Sequence, residues 1–84
     1  MKYKFETGKD LEKAIKELGY DQSSFNRVLL SLSSYQNEKY SLRNIQRNIA
    51  NPKYPNQYLE IICNLLAMLQ KQGNVISDPK KQKD

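Results

Sequence analysis

Apolar residues recur every three or four positions in four separate segments of the chain, and this spacing favours α-helix over strand. The recurring residues are Leu11, Ala14, Ile15 and Leu18; Phe25, Val28, Leu29 and Leu32; Leu42, Ile45 and Ile49; and a longer series from position 58 to position 69. Glycine favours helix C-termini, and proline disfavours helical geometry in the residue before it. Gly19, Asn51-Pro52 and Gly73 therefore separate or end these segments. The pattern predicts an all-α fold, a compact bundle of four to five helices.

Short polar side chains stand before each segment, where they can bind the first backbone N–H groups of a helix. The expected N-caps are Thr7 with Asp10 three residues on, Asp21 or Ser23, Ser41, and Asn56. Residues 37–40 are expected to form a turn before the third helix. The last helix is expected to end at Gln72 and to pack one apolar face beneath the second and third helices.

The length of 84 residues allows a single domain with a modest core. Residues 1–6 alternate lysine with aromatic residues and form an N-terminal arm, which is either a short extended segment or a strap whose aromatic rings dock on the domain. Residues 7–76 form the domain itself. Residues 77–84 are rich in lysine and poor in apolar residues, so we expect a disordered basic tail.

The third segment has a polar face without acidic residues. This face carries Arg43, Asn44, Gln46, Arg47 and Asn48. Arginine can form paired hydrogen bonds with guanine, and asparagine or glutamine can do so with adenine. The alternative is an ordinary solvated helix face, but such a face tends to mix Glu with Lys. The composition therefore favours a helix that reads base edges in DNA.

The positive charge of the chain is unevenly distributed. The formal net charge is +5 and the pI is about 9.4, which favours anionic partners such as nucleic acid. Residues 39–56 contain lysine and arginine but no Asp or Glu. Side chains in and around this stretch are therefore expected to contact the phosphate backbone. These side chains are Gln22, Arg27, Lys39, Ser41, Lys53 and Tyr54.

The sequence offers little for catalysis. The single cysteine, Cys63, excludes an internal disulfide, and the absence of histidine removes most zinc sites and the commonest general base. We therefore expect no enzymatic activity, no metal, no cofactor and no small-molecule substrate. No apolar run has membrane-spanning length, and the N-terminus lacks the apolar core of a signal peptide, so we expect a cytoplasmic protein without a membrane partner.

The last segment has more apolar residues than one helix face can hold. Leu59, Ile62, Leu66 and Leu69 form one stripe, and Tyr58, Ile61, Leu65 and Met68 form a second. If the other helices cover the first stripe, the second would be a larger apolar patch than soluble monomers normally expose. Two interpretations follow: the second stripe is the interface of a homodimer, or the helix runs through the middle of the domain with both stripes buried.

This order of elements resembles a small helix-turn-helix regulator of the lambda-repressor-like class, which includes phage Cro and repressor proteins. The resemblance is carried by residues 21–25 at the start of the scaffold helix, residues 41–47 in the recognition helix, and residues 51–55 leading into residues 58–62. The chain is also similar to the short regulators that accompany anti-CRISPR genes in phages and mobile elements. The resemblance implies a homodimeric transcriptional repressor that binds double-stranded DNA sequence-specifically at an inverted repeat.

The chain departs from that class at three points. The turn of the helix-turn-helix, residues 32–41, is longer than usual and has no glycine. Asn26 stands where a small residue is usual, and Asn48 stands where an apolar residue is common. The alternative function is a small phage-type protein-interaction module or inhibitor, which would use the basic face against an acidic or nucleic-acid-binding protein surface.

Overall fold

The computed structural model of the chain describes residues 2–34 and 37–76. Within these residues it consists of four helices without a strand: α1 (Gly8–Glu17), α2 (Gln22–Ser31), α3 (Glu38–Ala50) and α4 (Gln57–Lys71). The predicted all-α class and the compact helical bundle are confirmed. The tail predicted for residues 77–84 lies outside the described residues.

Two of the predicted N-caps begin α1 and α2. Thr7 precedes α1, and the Asp10 carboxylate accepts the backbone N–H of the residue before Thr7 at 2.8 Å and that of Thr7 at 3.1 Å. These two bonds lower the pKa of Asp10. Asp21, rather than Ser23, caps α2 by accepting the backbone N–H three residues on at 2.7 Å. The local sequence therefore predicts both helix starts correctly.

The third helix begins a full turn earlier than the sequence predicts. The turn predicted at residues 37–40 and the cap predicted at Ser41 are wrong. Asn37 is the N-cap, and its side chain accepts the N–H of Tyr40 at 3.0 Å. Ser41 lies inside α3 and donates its hydroxyl to the side-chain oxygen of Asn26 on α2. Both Asn37 and Ser41 are residue types that cap helices well. The hydrogen bond between Ser41 and Asn26 holds Ser41 inside α3, and this explains why Asn37 is the N-cap.

The connection between α2 and α3 is residues 32–37, which is shorter than predicted but longer than a tight helix-turn-helix turn. Asn26 is 0% exposed and spans the two helices here. Its amide nitrogen donates to the carbonyl of Glu38 at 2.9 Å, and its oxygen accepts from Ser41. An Arg27 guanidinium nitrogen lies 3.7 Å from the Glu38 carboxylate. Buried polar contacts, rather than a small side chain, thus hold the first turn of α3 against α2.

The core joins side chains from the N-terminal arm, all four helices and the link between α1 and α2. Its members are Phe5, Leu11, Ala14, Ile15, Leu18, Tyr20, Phe25, Val28, Ile45, Leu59, Cys63 and Leu66. In the described part of the chain α1 lies between α3 and α4, while α2 packs against α3. The prediction that α4 packs beneath α2 and α3 is wrong, because α1 and the arm supply the apolar surface that faces it.

The N-terminal arm docks on α4 through its backbone. The Asn64 amide accepts the N–H of Tyr3 at 2.7 Å and donates to the carbonyl of Tyr3 at 3.0 Å. The Glu60 carboxylate accepts the N–H of Phe5 at 2.6 Å, and the Phe5 ring is buried in the core. Of the two interpretations of the arm, the one in which aromatic side chains dock on the domain is confirmed.

α1 approaches the end of α3 with almost no space between the two backbones. A Cβ atom added at Gly8 would lie 2.1 Å from the carbonyl oxygen of Asn48 and 2.2 Å from that of Ile49. The N–H of Gly8 also donates to the carbonyl of Asn51 at 2.9 Å. The start of α1 is therefore fixed to the end of α3 at a point where only glycine fits.

Candidate nucleic-acid interface

The core contact of Ile45 fixes which side chains of α3 point outward. Ile45 is buried, and successive helical residues are rotated by about 100°, so positions 43 and 47 lie opposite it. Arg43 and Arg47 are exposed there, one turn apart, and the exposed Tyr40 precedes Arg43 on the same side. We call the exposed basic and amide side chains of this helix, together with two residues of the following loop, the basic face. Its members are Lys39, Arg43, Asn44, Gln46, Arg47, Lys53 and Tyr54.

Gln46 connects the basic face to the start of α2. Its side-chain nitrogen donates to the side-chain oxygen of Gln22, the first residue of α2, at 3.3 Å. The half-buried Gln22, which is predicted from the sequence to contact the phosphate backbone, therefore lies beside α3. Asn44 is exposed on the side of α3 away from Gln46. The two amides thus flank the central arginines.

Asn48 differs from the other residues predicted to read bases. It is half-buried, its amide nitrogen donates to the carbonyl of Asn44 at 2.8 Å, and its oxygen accepts the N–H of Asn56 at 2.8 Å. Asn56 is the N-cap of α4, as predicted. Asn48 therefore joins α3 to the start of α4, which gives a physical reason for a polar residue at this position.

Two residues predicted to contact phosphate are turned toward the contact between α2 and α3. Ser41 donates its hydroxyl to Asn26, and the half-buried Arg27 lies beside the Glu38 carboxylate. Glu38, which is predicted to lie in the loop before α3, instead lies in the first turn of α3. An acidic side chain is stabilised there by the helix dipole as well as by the nearby guanidinium.

The loop between α3 and α4 is held at both ends and presents Lys53 outward. The Asn51 side chain accepts the N–H of Lys53 at 3.0 Å, and Pro55 is buried. The Tyr54 hydroxyl donates to the Glu60 carboxylate at 2.9 Å. Partial desolvation and this bond raise the pKa of Tyr54. The structure therefore brings Lys53 and Tyr54 together beside the C-terminal end of α3.

Glu60 supports the site, although the sequence did not predict a role for it. One carboxylate oxygen accepts the N–H of Phe5 at 2.6 Å, and the other accepts the hydroxyl of Tyr54 at 2.9 Å. A single acidic side chain thus fastens both the N-terminal arm and the basic loop to α4. The sequence does contain one indication of this role, because Glu60 is a charged residue in an otherwise apolar stretch. A charged side chain among buried positions needs hydrogen-bonding partners.

The described residues offer no arrangement typical of metal or thiol chemistry. Within residues 2–34 and 37–76, no three side chains of His, Cys, Asp or Glu lie close enough together to hold a metal ion. Cys63 is buried, and desolvation raises the pKa of its thiol to about 12, so the reactive thiolate is scarce at neutral pH. None of the helices in these residues combines the length and the apolar character needed to cross a membrane.

Comparisons of the chain with protein-family models, with characterised proteins and with solved structures gave no match. The geometry and charge of the chain itself are therefore the grounds on which a function can be assigned.

Proposed function

We propose that the protein is a sequence-specific double-stranded DNA-binding regulator, a repressor of phage or mobile-element type that places α3 in the major groove. The supporting observation is the pair Arg43 and Arg47, one turn apart on the side of α3 opposite the buried Ile45. An α-helix fits the major groove, and arginine is the side chain that most often pairs with guanine there. The buried anchor gives both guanidinium groups a rigid support.

The positions of the side chains divide them into two roles. Arg43 and Arg47, opposite Ile45, and the adjacent Asn44 read base edges. Gln46 lies at the edge of this surface and contributes less to base reading. Those at the ends of the basic face contact phosphates and set the register, namely Lys39, Lys53 and Tyr54, with Gln22 beside them. Asn48 and Ser41 support these residues from within the protein.

Arg47→Ala and Lys53→Ala should separate the two roles. We expect Arg47→Ala to weaken binding to the preferred duplex by about 1–3 kcal/mol and to relax the preference at one base pair. Lys53→Ala should weaken binding to all duplexes by a similar factor, because it removes only a phosphate contact. Fluorescence anisotropy with labelled preferred and random duplexes, at one fixed salt concentration, measures both effects.

Lys13→Ala is the matched control, since this exposed lysine lies on α1 beside the N-terminal arm. It should leave both affinities nearly unchanged. Equal losses on the preferred and the random duplex for Arg47→Ala would remove that residue from base readout.

A protein-interaction module is the second candidate, and the observation that favours it is Glu38. Its carboxylate is more than half exposed in the first turn of α3, at the end of the helix that would enter the groove, where it repels phosphate. A partner protein with a nucleic-acid-binding surface would avoid this conflict, because the basic side chains of such a surface attract the Glu38 carboxylate. Specific DNA readers prefer their site by roughly a thousandfold or more, so the absence of any preferred duplex would favour this candidate.

A further inference from the structure

The outward side of α4 exposes a continuous apolar stripe. Tyr58 is 66% exposed, Ile61 47%, Leu65 50% and Met68 46%, and we call these residues the α4 stripe. The opposite side of the helix places Leu59, Cys63 and Leu66 in the core. The interpretation in which both stripes are buried within one domain is therefore wrong.

We propose that a second copy of the chain covers the α4 stripe, with the two α4 helices antiparallel about a twofold axis near residue 63. The surface lies on a different helix from the basic face, so both can be occupied at once. The inference goes beyond the proposed function and does not require it, because it depends on α4 alone.

Charge favours a second copy at this surface. The chain carries a net charge of +5, so two copies repel each other across most of their surfaces. Residues 57–70, in contrast, include a single charged side chain, Glu60, whose oxygens already accept from Phe5 and Tyr54. Over most of the α4 stripe two copies can meet without bringing like charges together, and Lys2 and Lys71 lie beside its Met68 end.

The spacing within the α4 stripe is self-complementary. Its members are separated by three, four and three positions, which is coiled-coil spacing and reads the same in both directions. A twofold interface requires that when one residue contacts a second, the second also contacts the first. An antiparallel pair meets this condition by packing Tyr58 against the partner's Met68 and Ile61 against the partner's Leu65.

The size of the stripe predicts a weak dimer. Four half-exposed apolar side chains present on the order of 400 Å² per copy, which is typical of the largest functional patches on small monomers. Burying this surface and its uncharged flanks on both copies approaches the lower limit of specific interfaces, about 1,200 Å² in total. We therefore expect a dissociation constant of roughly 1–100 μM, with the dimer favoured further wherever two DNA sites lie side by side.

Sedimentation equilibrium of the full chain from about 1 to 200 μM, without DNA, tests the interface. The wild type should pass from monomer to dimer over this range, and Leu65→Lys should remain monomeric with an unchanged helical circular dichroism spectrum. Leu32→Lys is the matched control, because Leu32 is also an exposed leucine, at 61%, but lies outside α4. It should dimerise as the wild type does. A wild type that stays monomeric, or a Leu65→Lys variant that still dimerises, overturns the proposal.

Cysteine cross-linking tests the antiparallel register. The double variant Tyr58→Cys with Met68→Cys should form a disulfide-linked dimer on mild oxidation, and neither single variant should do so. Positions 58 and 68 are about 15 Å apart along one helix, too far for a bond within a chain, and each lies about as far from its own copy in an antiparallel pair. Cys63 is buried and should not form a disulfide in this experiment. Efficient cross-linking of a single variant would show a parallel pair and overturn the register.

These experiments contain no DNA, so their failure leaves the proposed function standing as that of a monomer on a single site. A confirmed dimer that prefers no duplex would instead remove the proposed function and keep the interface.

Discussion

Replacing Gly8 with alanine should lower the free energy of unfolding by about 3 kcal/mol and the Tm by roughly 10–20 °C. The added Cβ would lie 2.1 and 2.2 Å from two backbone carbonyl oxygens of α3, and neither can move without shifting the helix. The start of α1 would have to separate from the end of α3. Thermal unfolding followed by circular dichroism measures the change.

The sign of the Gly8→Ala effect is informative. Where alanine fits, it stabilises a helix relative to glycine by about 0.5–1 kcal/mol. A stabilised variant would therefore show that the added Cβ has room, and a destabilised one that it clashes with α3. Lys9→Ala, at the exposed next position, provides the control and should change the Tm by no more than a few degrees. A Gly8→Ala protein as stable as the wild type would show that α1 and α3 are not in backbone contact.

Asn26→Leu should lower the free energy of unfolding by about 2–4 kcal/mol, although leucine is apolar and similar in size. The substitution leaves the carbonyl of Glu38 and the hydroxyl of Ser41 without their buried partner. Urea unfolding measures the change. Asn44→Leu, on the exposed side of α3, is the matched control and should have a small effect.

A double-mutant cycle with Ser41→Ala isolates the contact between α2 and α3. If the Asn26 side chain binds Ser41, the two substitutions together should cost at least 0.5 kcal/mol less than the sum of the single effects, about the smallest coupling seen for residues in contact. Strictly additive effects would show that the hydrogen bond does not contribute to stability.

The starts of α1, α2 and α4 could be predicted from sequence because local residues decide them. Thr7, Asp21 and Asn56 each stand directly before an apolar repeat. The side chains of Asp21 and Asn56 accept backbone N–H groups of the helix that follows, and at α1 the Asp10 carboxylate accepts the N–H of Thr7. The start of α3 could not be predicted in the same way. Asn37 and Ser41 are both good caps, and Asn26 on another helix binds the first turn that Asn37 begins. A tertiary contact therefore determines this boundary.

The periodicity of apolar residues also could not predict which element of the chain packs against α4. The spacing of apolar residues shows which face of a helix is apolar but not which element covers it, and here α1 and the buried Phe5 do so. The exposure of Arg43 and Arg47 followed directly from the helical position of Ile45. The roles of Asn48 and Glu60 did not, because both bind backbone or hydroxyl groups from other segments.

Selection of bound sequences from a pool of random duplexes, followed by sequencing, tests whether α3 binds DNA sequence-specifically. We predict enrichment of one consensus that contains guanines and adenines within reach of Arg43, Arg47 and Asn44, repeated in inverted orientation if two copies bind through the α4 stripe. The Arg43→Ala, Arg47→Ala double variant should lose that enrichment while still binding DNA weakly. A wild-type pool that remains random after repeated rounds would contradict sequence-specific DNA binding by α3.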